Sequence, residues 1–230
     1  MPVLSEIRLI TFDLDDTLWP CMPTIHAAEQ KLYNWLQENA PGLTDDHDID
    51  SLRAHRIAVT RKNTALAHNL TEMRLRSLQA LAAEYDLDKD LPYAANAVFR
   101  QARNIVTPYD EVIGALQSLA RHYVLIAVSN GNAEVQHTPL ANCFEHHFTA
   151  EQVGAAKPDP ALFFAASDAS GIALSSALHV GDDPLRDIEA ARLAGMRTAW
   201  VDRHSQSWPV DYAKADIHVA DLNALTHLLI

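Results

Sequence analysis

Short apolar runs, separated by longer segments of mixed polarity, are the clearest pattern along this chain. They lie at Ile7–Phe12, Tyr123–Val128, Ala177–Val180, Arg197–Val201 and Ile217–Val219. Runs of this length, rich in apolar and β-favouring residues, predict strands. A short edge strand is also expected around Phe148. Because the strongest runs are apolar throughout instead of alternating, we expect a parallel sheet covered by helices on both faces.

Helical spacing of apolar residues lies between these predicted strands. The positions are Val112, Leu116 and Leu119; Leu162, Phe163 and Ala166 behind Pro160; and Ile188, Ala191 and Leu193 before a stop at Gly195. Strands alternating with helices predict an α/β doubly wound fold. Ligands of such folds bind beyond the carboxyl ends of the strands, so those ends are where chemistry is expected.

The segment from about residue 20 to residue 106 breaks this alternation, because it contains no convincing strand pattern. Four amphipathic helical faces follow one another there: Ile25, Leu32, Trp35 and Leu36; Ile49, Leu52 and Val59; Leu75, Leu78 and Leu81; and Val98, Ala102 and Ile105. We therefore predict an α/β core formed by residues 1–19 and 107–230, with a helical domain of residues 20–106 inserted after the first strand.

Composition narrows the class of protein. The chain has 230 residues, 48% hydrophobic and 21% charged, which is ordinary globular composition. Its net charge of -12 argues against nucleic-acid binding, which needs a basic surface. No apolar run is long enough for a membrane span, and the N-terminal sequence does not resemble a signal peptide. We therefore expect a cytoplasmic protein without nucleic-acid or membrane partners, in which Cys21 and Cys143 stay reduced.

Acidic residues crowd the end of the first predicted strand, where Asp13, Asp15 and Asp16 follow the apolar run. In extended chain, Asp13 and Asp15 point to one side, and two like charges so close repel. A divalent cation relieves that repulsion, and Mg²⁺ prefers carboxylate oxygens and often substrate phosphate. The alternative is a plain turn, in which aspartate is common. The first strand alone leaves both interpretations open.

Polar clusters at later strand ends favour the chemical interpretation. After the second strand, the Ser129 hydroxyl and the Asn130 amide suit a phosphate group. Lys157 follows in Ala156–Pro160, and the third strand ends in the run Gly181–Asp187 with three more carboxylates. Each cluster alone is as well explained by a turn or by solvated surface. Together they supply a nucleophile, metal ligands, phosphate donors and a cation, in order, at one edge of a sheet.

The ordered set resembles the haloacid dehalogenase (HAD) superfamily of phosphohydrolases. Its motif DxDxT is met by Asp13, Asp15 and Thr17, its second-motif Ser/Thr by Ser129, its third-motif Lys by Lys157 and its fourth-motif acids by Asp182 and Asp187. The helical insertion resembles the C1 cap of this family. The stretches FDLDDTL, SNGNAE and HVGDDPLRDIEAARLAGM resemble bacterial phosphatases that act on 5-amino-6-(5-phospho-D-ribitylamino)uracil and on FMN.

This resemblance implies a role for each site residue. Asp13 would be the nucleophile that forms an aspartyl-phosphate, and Asp15 the general acid and base. Thr17, Ser129, Asn130 and Lys157 would hold the loop and the phosphoryl group, and Lys157 would assist catalysis. The Asp13 carboxylate, the Asp15 carbonyl and Asp182 would bind Mg²⁺, with Asp187 behind them. Asp183 is open between a water-mediated metal contact and a helix cap.

The resemblance also leaves alternatives for the reaction. The dehalogenase branch resembles DxYGT, and Asp15 stands here at its Tyr position, which argues against dehalogenation. Phosphomutases share the motifs, and a non-catalytic protein that binds a phosphorylated metabolite is the rival from another class. The expected substrate is a small phosphorylated metabolite. Trp19 could stack on its ring or pack internally, whereas Trp35 is expected in the helical core. The oligomeric state stays undetermined.

Overall fold

The computed structural model describes residues 6–230 of the chain. In that range six strands form one parallel sheet in the order β3-β2-β1-β4-β5-β6. The strands are β1 (Leu9–Phe12), β2 (Val124–Ser129), β3 (His146–Thr149), β4 (Ala177–Gly181), β5 (Arg197–Val201) and β6 (Ile217–Val219). All five predicted strands and the edge strand at Phe148 are confirmed.

Strand order brings three strand ends together. β1 lies at the centre of the sheet, between β2 and β4. The strands β2 and β3 lie on one side of it, and β4 to β6 lie on the other. Phe12 aligns with Ala127 of β2 and with Val180 of β4, which sets the carboxyl ends of these strands side by side. This is the topological switch point at which open α/β sheets bind ligands.

Ten α-helices are assigned within residues 6–230. They are α1 (Cys21–Asn39), α2 (Pro41–Asp46), α3 (Ile49–Lys62), α4 (Leu70–Glu84), α5 (Leu91–Arg103), α6 (Val112–Leu119), α7 (Ala150–Val153), α8 (Ala161–Ser170), α9 (Ala190–Leu193) and α10 (Leu222–Leu229). A π-helical segment, Pro184–Glu189, leads into α9. The helices expected between the strands are therefore present, and the predicted α/β doubly wound class is confirmed.

The main core of the sheet packs helix α8 and the following helices against the strands. Leu162, Phe163 and Ala166 are fully buried with Leu9 and Ile126, as their helical spacing predicts. The prediction for Leu193 is wrong, because its side chain is 71% exposed. The π-helical segment holds more residues per turn than an α-helix, so a period of 3.6 residues misassigns positions that follow it.

The described chain forms two compact units. One consists of the residues up to Pro20, Thr107–Gly131 and Val135–Ile230, and carries the sheet. The other consists of Cys21–Val106 together with Asn132–Glu134, and contains α1 to α5.

The helical unit has its own hydrophobic core. Fully buried members include Leu36, Leu43 and Phe99, and Trp35 packs against them as expected. The prediction for Ile105 is wrong, because α5 ends at Arg103 and the Ile105 side chain is 64% exposed. The buried face of α5 uses Phe99 and its helical neighbours instead.

Two further expectations concern thiols and membranes. Cys21 and Cys143 form no disulfide within the described residues. Within residues 6–230, no helix has the length and apolarity of a bilayer span.

Candidate active site

Asp13 is the first residue after β1 and lies at the centre of the cluster. Its N–H donates to the Val180 carbonyl at 2.9 Å, which continues the pairing of β1 with β4. The residue is 8% exposed, so its carboxylate is largely removed from water. One carboxylate oxygen, Oδ1, accepts a hydrogen bond from the Lys157 ammonium at 2.6 Å.

Lys157 is buried among acidic partners. Its Nζ donates to Asp13 Oδ1 and Asp187 Oδ1, both at 2.6 Å, and to the Val128 carbonyl at 3.2 Å. The Asn130 side chain fixes the lysine backbone, since its Oδ1 accepts from Lys157 N at 2.7 Å and its Nδ2 donates to Lys157 O at 2.8 Å. The ammonium is thus held in place from both its main chain and its head group.

The loop after Asp13 is a tight turn. Asp16 adopts a positive φ of 60°, which aspartate tolerates better than most residues. Its N–H donates to the Trp19 carbonyl at 2.7 Å, and the Trp19 indole N–H donates to Asp15 Oδ1 at 2.8 Å. Trp19 is fully buried, so it holds Asp15 and does not offer a face for stacking on a substrate ring.

Thr17 links this loop to the end of β4. Its hydroxyl donates to Asp182 Oδ1 at 3.0 Å, and its carbonyl accepts two hydrogen bonds from Arg203, at 2.8 and 3.0 Å. Arg203 is itself held by Glu111 at 2.8 Å and stacks on the Tyr109 ring at 3.7 Å. Sequence reasoning missed Arg203, because it lies 186 residues from its partner and carries no local pattern.

Asp187 gathers three hydrogen bonds in the interior. Oδ1 accepts from Lys157 and, at 3.2 Å, from His179 Nε2, while Oδ2 accepts from the Asp183 N–H at 2.9 Å. His179 Nδ1 lies 2.8 Å from the Thr11 hydroxyl. Burial lowers the pKa of His179. The partners assign the neutral tautomer with hydrogen on Nε2, because a carboxylate can only accept.

His179 is a second site neighbour that sequence reasoning missed. The signal was available, because a histidine interrupts the apolar run Ala177–Gly181 in a strand that is buried throughout. A fully buried polar side chain must find partners. Thr11 and Asp187 are those partners, and they connect β1 and β4 to the lysine.

Gly181 and Asp183 shape the turn that follows β4. A Cβ on Gly181 would stand 2.3 Å from Asp187 Cγ, so only glycine leaves room for that carboxylate. Asp183 Oδ1 accepts from the N–H groups of Leu185 and Arg186 at 2.9 and 2.8 Å. Asp183 therefore caps the helical segment that follows, and a water-mediated metal contact of the same residue stays a prediction.

The acidic cluster holds more negative than positive charge. Carboxylate oxygens of Asp13, Asp182 and Asp187 lie within 4.8 Å of one another, against one ammonium group. Burial, with Asp187 and other neighbouring carboxylates, raises the pKa of Asp182 to about 7. Burial also raises the pKa of Asp13, with Asp187 and Asp182 adding to the effect. Although burial opposes it, Lys157 lowers the pKa of Asp187 and keeps it ionised.

This donor set fits a hard divalent cation. Clustered carboxylates supply the oxygen ligands that Mg²⁺ takes, and a cation would remove their mutual repulsion. Asp187 is the least available of the three, because Lys157, His179 and Asp183 N–H already occupy its oxygens. Asp13 and Asp182 are therefore the two carboxylates best placed to coordinate.

The structure brings together most of the residues predicted for the site. Asp13, Lys157, Asp182 and Asp187 form one cluster, and Thr17 contacts it through Asp182. The Asp15 carboxylate is turned toward Trp19 and is not one of the grouped metal-ligand candidates. The Ser129 hydroxyl oxygen accepts from Gly131 N at 2.9 Å, which leaves its hydrogen to donate. The Asn130 carboxamide is hydrogen-bonded to the N–H and the carbonyl of Lys157, and a contact of Asn130 with phosphate stays a prediction.

The site combines an acidic residue at the end of the central strand, a buried lysine and an acidic turn after a neighbouring strand. This combination, on a parallel α/β sheet, defines a class of hydrolase. The sequence profile of the haloacid dehalogenase-like hydrolases matches residues 7–195. The chain belongs to this family. The structural expectations drawn from the resemblance to that family are thereby confirmed for the α/β core.

Similar proteins of known type include phosphatases. The chain is 30% identical, over 86% of its length and 84% of the relative's, to the 5-amino-6-(5-phospho-D-ribitylamino)uracil phosphatase YigB of Escherichia coli. It is 38% identical, over 56% of its length and 53% of the relative's, to the phosphoserine phosphatase of Thermus thermophilus.

A solved structure points to another branch of the family. The crystal structure described as 2-haloacid dehalogenase from Pseudomonas syringae pv. Tomato DC3000 superposes with a TM-score of 0.90 at 35% identity, covering 97% of this chain and 98% of that one. The family thus establishes a hydrolase, and the site residues must decide between phosphate and halide chemistry.

Proposed function

We propose that this protein is a magnesium-dependent phosphatase that hydrolyses a small phosphomonoester through an aspartyl-phosphate on Asp13. The observation that carries the proposal is the cluster of Asp13, Asp182 and Asp187, beyond the ends of the adjacent strands β1 and β4, with the buried Lys157 ammonium hydrogen-bonded to Asp13 and Asp187. Phosphoryl transfer depends on positioning and on neutralising charge, and this group supplies a nucleophile together with one ammonium group and carboxylates that suit a metal cation.

The proposed first half-reaction uses residues of the β1 loop. A carboxylate oxygen of Asp13 attacks phosphorus, and the bond from phosphorus to the alcohol oxygen breaks. Asp15 gives its proton to that leaving oxygen. The Trp19 N–H, 2.8 Å from Asp15 Oδ1, keeps the acid aimed in one direction.

The second half-reaction returns the enzyme to its starting state. Asp15, now ionised, takes a proton from water, and the water oxygen attacks phosphorus. The bond from phosphorus to the Asp13 oxygen breaks and inorganic phosphate leaves. Lys157 and the Ser129 hydroxyl would hold the phosphoryl oxygens through both steps, with Asp187 and Asn130 fixing the lysine.

We further propose that Asp13 and Asp182, with the Asp15 carbonyl, hold Mg²⁺. Such a cation supplies charge neutralisation and polarises the phosphoryl group when bound. The surplus of negative charge and the raised pKa of Asp182 support this assignment. Thr17 would orient Asp182 toward the cation through its hydrogen bond at 3.0 Å.

The helical unit is proposed to be a C1-type cap that selects the substrate. Its insertion directly after the β1 loop supports this, as does its own hydrophobic core. The relative YigB is named for a ribitylaminouracil phosphate, so that compound is the first candidate substrate. We place the reaction in the cytoplasm, where reduced Cys21 and Cys143 would persist.

Dehalogenation is the second candidate, because a structure with a TM-score of 0.90 and 35% identity carries that description. Two features favour the phosphatase. Asp15 provides a general acid and base, and the excess of carboxylates around Asp13 suits a cation. Displacement of halide by a carboxylate requires neither feature. A phosphomutase shares both features and remains the alternative within phosphoryl transfer.

A panel assay tests the proposal. Phosphate release is measured from the ribitylaminouracil phosphate, FMN, phosphoserine, glyceraldehyde 3-phosphate and nucleotides, with Mg²⁺ and with chelator. Halide release from (S)-2-chloropropionate is measured in parallel. We expect phosphate release that requires Mg²⁺, and no halide. Halide release without phosphate release would overturn the proposal and favour the dehalogenase.

A further inference from the structure

Three arginines in the helical unit have fewer carboxylate partners than their positive charges require. Helix α1 contributes Glu29, helix α3 contributes Arg53 and Arg56, and helix α4 contributes Arg74. All four line one small pocket, a cavity of about 30 Å³, between these helices. Asp50 adds one exposed carboxylate beside Arg53. Three guanidinium groups thus face two carboxylates, in a protein whose net charge is -12.

Arg53 takes most of the available acceptor capacity. Its Nε and Nη2 donate to Glu29 Oε2 at 3.0 and 2.6 Å, and its Nη1 donates to Asp50 at 2.7 Å. Arg56 Nη2 reaches Glu29 Oε1 only at 3.4 Å, and the buried Arg56 Nε has no hydrogen-bond partner within the described residues. Glu29 and Asp50 therefore neutralise Arg53 first, and Arg56 keeps one long hydrogen bond to Glu29.

Arg74 is the least compensated of the three. It is 9% exposed, and its Nη2 lies 4.0 Å from Glu29 Oε1, beyond hydrogen-bond distance. Its guanidinium carbon lies 3.3 Å from the centroid of the Phe99 ring, which holds it by a cation–π contact. Burial, with repulsion from Arg56, lowers the pKa of Arg74 to about 9. A buried cation normally has an ionic partner. Arg74 lines the pocket, and among the described residues the single carboxylate that lines it with Arg74 is Glu29, at 4.0 Å.

We propose that this pocket is a binding site for a small oxyanion, a phosphate or a carboxylate group, held by Arg56 and Arg74. Guanidinium groups present planar pairs of N–H donors that match such oxygens. Phe99 would keep the Arg74 fork in its plane, and the Glu29–Arg53 pair would form the fixed wall behind it. Ser77 also lines the pocket, but its hydroxyl is engaged with His55 at 2.7 Å.

The proposal does not depend on the phosphatase activity, and its test needs no turnover. Sulfate binding to the full chain is measured by calorimetry with chelator present, when surplus negative charge at Asp13, Asp182 and Asp187 repels anions. We expect binding of the wild type, weakened by about tenfold or more in Arg74→Gln and in Arg56→Gln, as loss of a charged hydrogen bond implies.

Arg76→Gln is the matched control. It removes the same charge from helix α4, but Arg76 donates to Glu72 at 2.7 Å and to Asn63 at 3.1 Å, away from the pocket. Sulfate binding should survive in this variant. Unfolding temperatures with sulfate and with chloride at equal ionic strength give a second readout. Should Arg74→Gln fail to fold, the more exposed Arg56 still decides the question.

The result that overturns the proposal is no sulfate binding, or equal binding in wild type and both pocket variants. The arginines would then be a purely structural ion network. If binding is confirmed, the source of the anion follows from turnover. A raised KM in Arg74→Gln only for substrates with a second anionic group identifies a substrate group, whereas an unchanged KM identifies a free oxyanion.

Discussion

At the scale of single residues, the hydrogen bond from Trp19 to Asp15 is the contact with the clearest consequence. The indole N–H lies 2.8 Å from Asp15 Oδ1, and the ring itself is fully buried. Trp19→Phe keeps most of the buried ring and deletes this one donor. We expect kcat to fall by about tenfold with KM unchanged, because complete general acid–base catalysis contributes about 10²–10⁴-fold.

The matched control is Trp208→Phe, which deletes the indole hydrogen bond to the Tyr212 carbonyl at 3.0 Å. Steady-state phosphate release and the unfolding temperature are measured for both variants. Equal kcat values in Trp19→Phe and the wild type would show that Asp15 needs no such support.

The sequence alone predicts those site residues that lie in local clusters of polar residues. Asp13 follows β1, and Asp182 and Asp187 lie in the polar run after β4, so the parallel sheet places them together. Lys157 lies in a polar run after helix α7 and reaches the same cluster. Arg203 was missed because its contact with the Thr17 carbonyl depends on how distant segments pack. Long-range partners of this kind leave no spacing to detect.

At the scale of elements, the turn after β4 depends on a residue without a side chain. A Cβ at position 181 would meet Asp187 Cγ at 2.3 Å, closer than any real contact. Gly181→Ala should therefore displace Asp187 from Lys157 and lower both activity and stability. We expect loss of about 1–3 kcal/mol in the free energy of unfolding, as for other overpacked sites.

Gly114→Ala is the control for this substitution. Gly114 lies inside helix α6, and a Cβ there meets no atom within 4 Å. Alanine should stabilise that helix by up to about 1 kcal/mol. Urea unfolding of the two variants measures both effects. A neutral Gly181→Ala would show that the β4 turn can relax without cost.

The elements themselves were more predictable than their boundaries and faces. The β5 and β6 runs match the observed strands residue for residue, because most of their side chains are buried and β-favouring. Leu193 and Ile105 were misassigned to buried faces. Before Leu193, a π-helical segment shifts the helical periodicity, and helix α5 ends two residues before Ile105. Neither event changes the local hydrophobic pattern.

At the scale of the whole molecule, crowded carboxylates make stability depend on pH and metal. The pKa of Asp182 is raised to about 7 in the fold, so the folded state binds a proton that the unfolded chain has lost above about pH 4. Without metal, stability therefore falls as pH rises from about 4 to 7, because the proton is released from the folded state. Mg²⁺ should restore stability most at the upper end of that range.

Thermal unfolding between about pH 4 and 8, with chelator and with Mg²⁺, measures this dependence. Asp182→Asn is the comparison, because its amide oxygen can still accept from Thr17 while the titrating group is gone. The chelator curve of this variant should be flatter than that of the wild type. Curves of equal slope would show that Asp182 does not titrate in this range.

The most direct test of the central claim is to locate the covalent phosphate. Wild-type protein is mixed with its best substrate and Mg²⁺, quenched in acid within milliseconds, and analysed by peptide mass spectrometry. The account predicts a phosphoryl group on Asp13, none in Asp13→Asn, and phosphate release in that variant reduced by about 10³-fold or more. A phosphoryl group on another residue, or full turnover by a folded Asp13→Asn protein, would contradict the assignment of Asp13 as nucleophile.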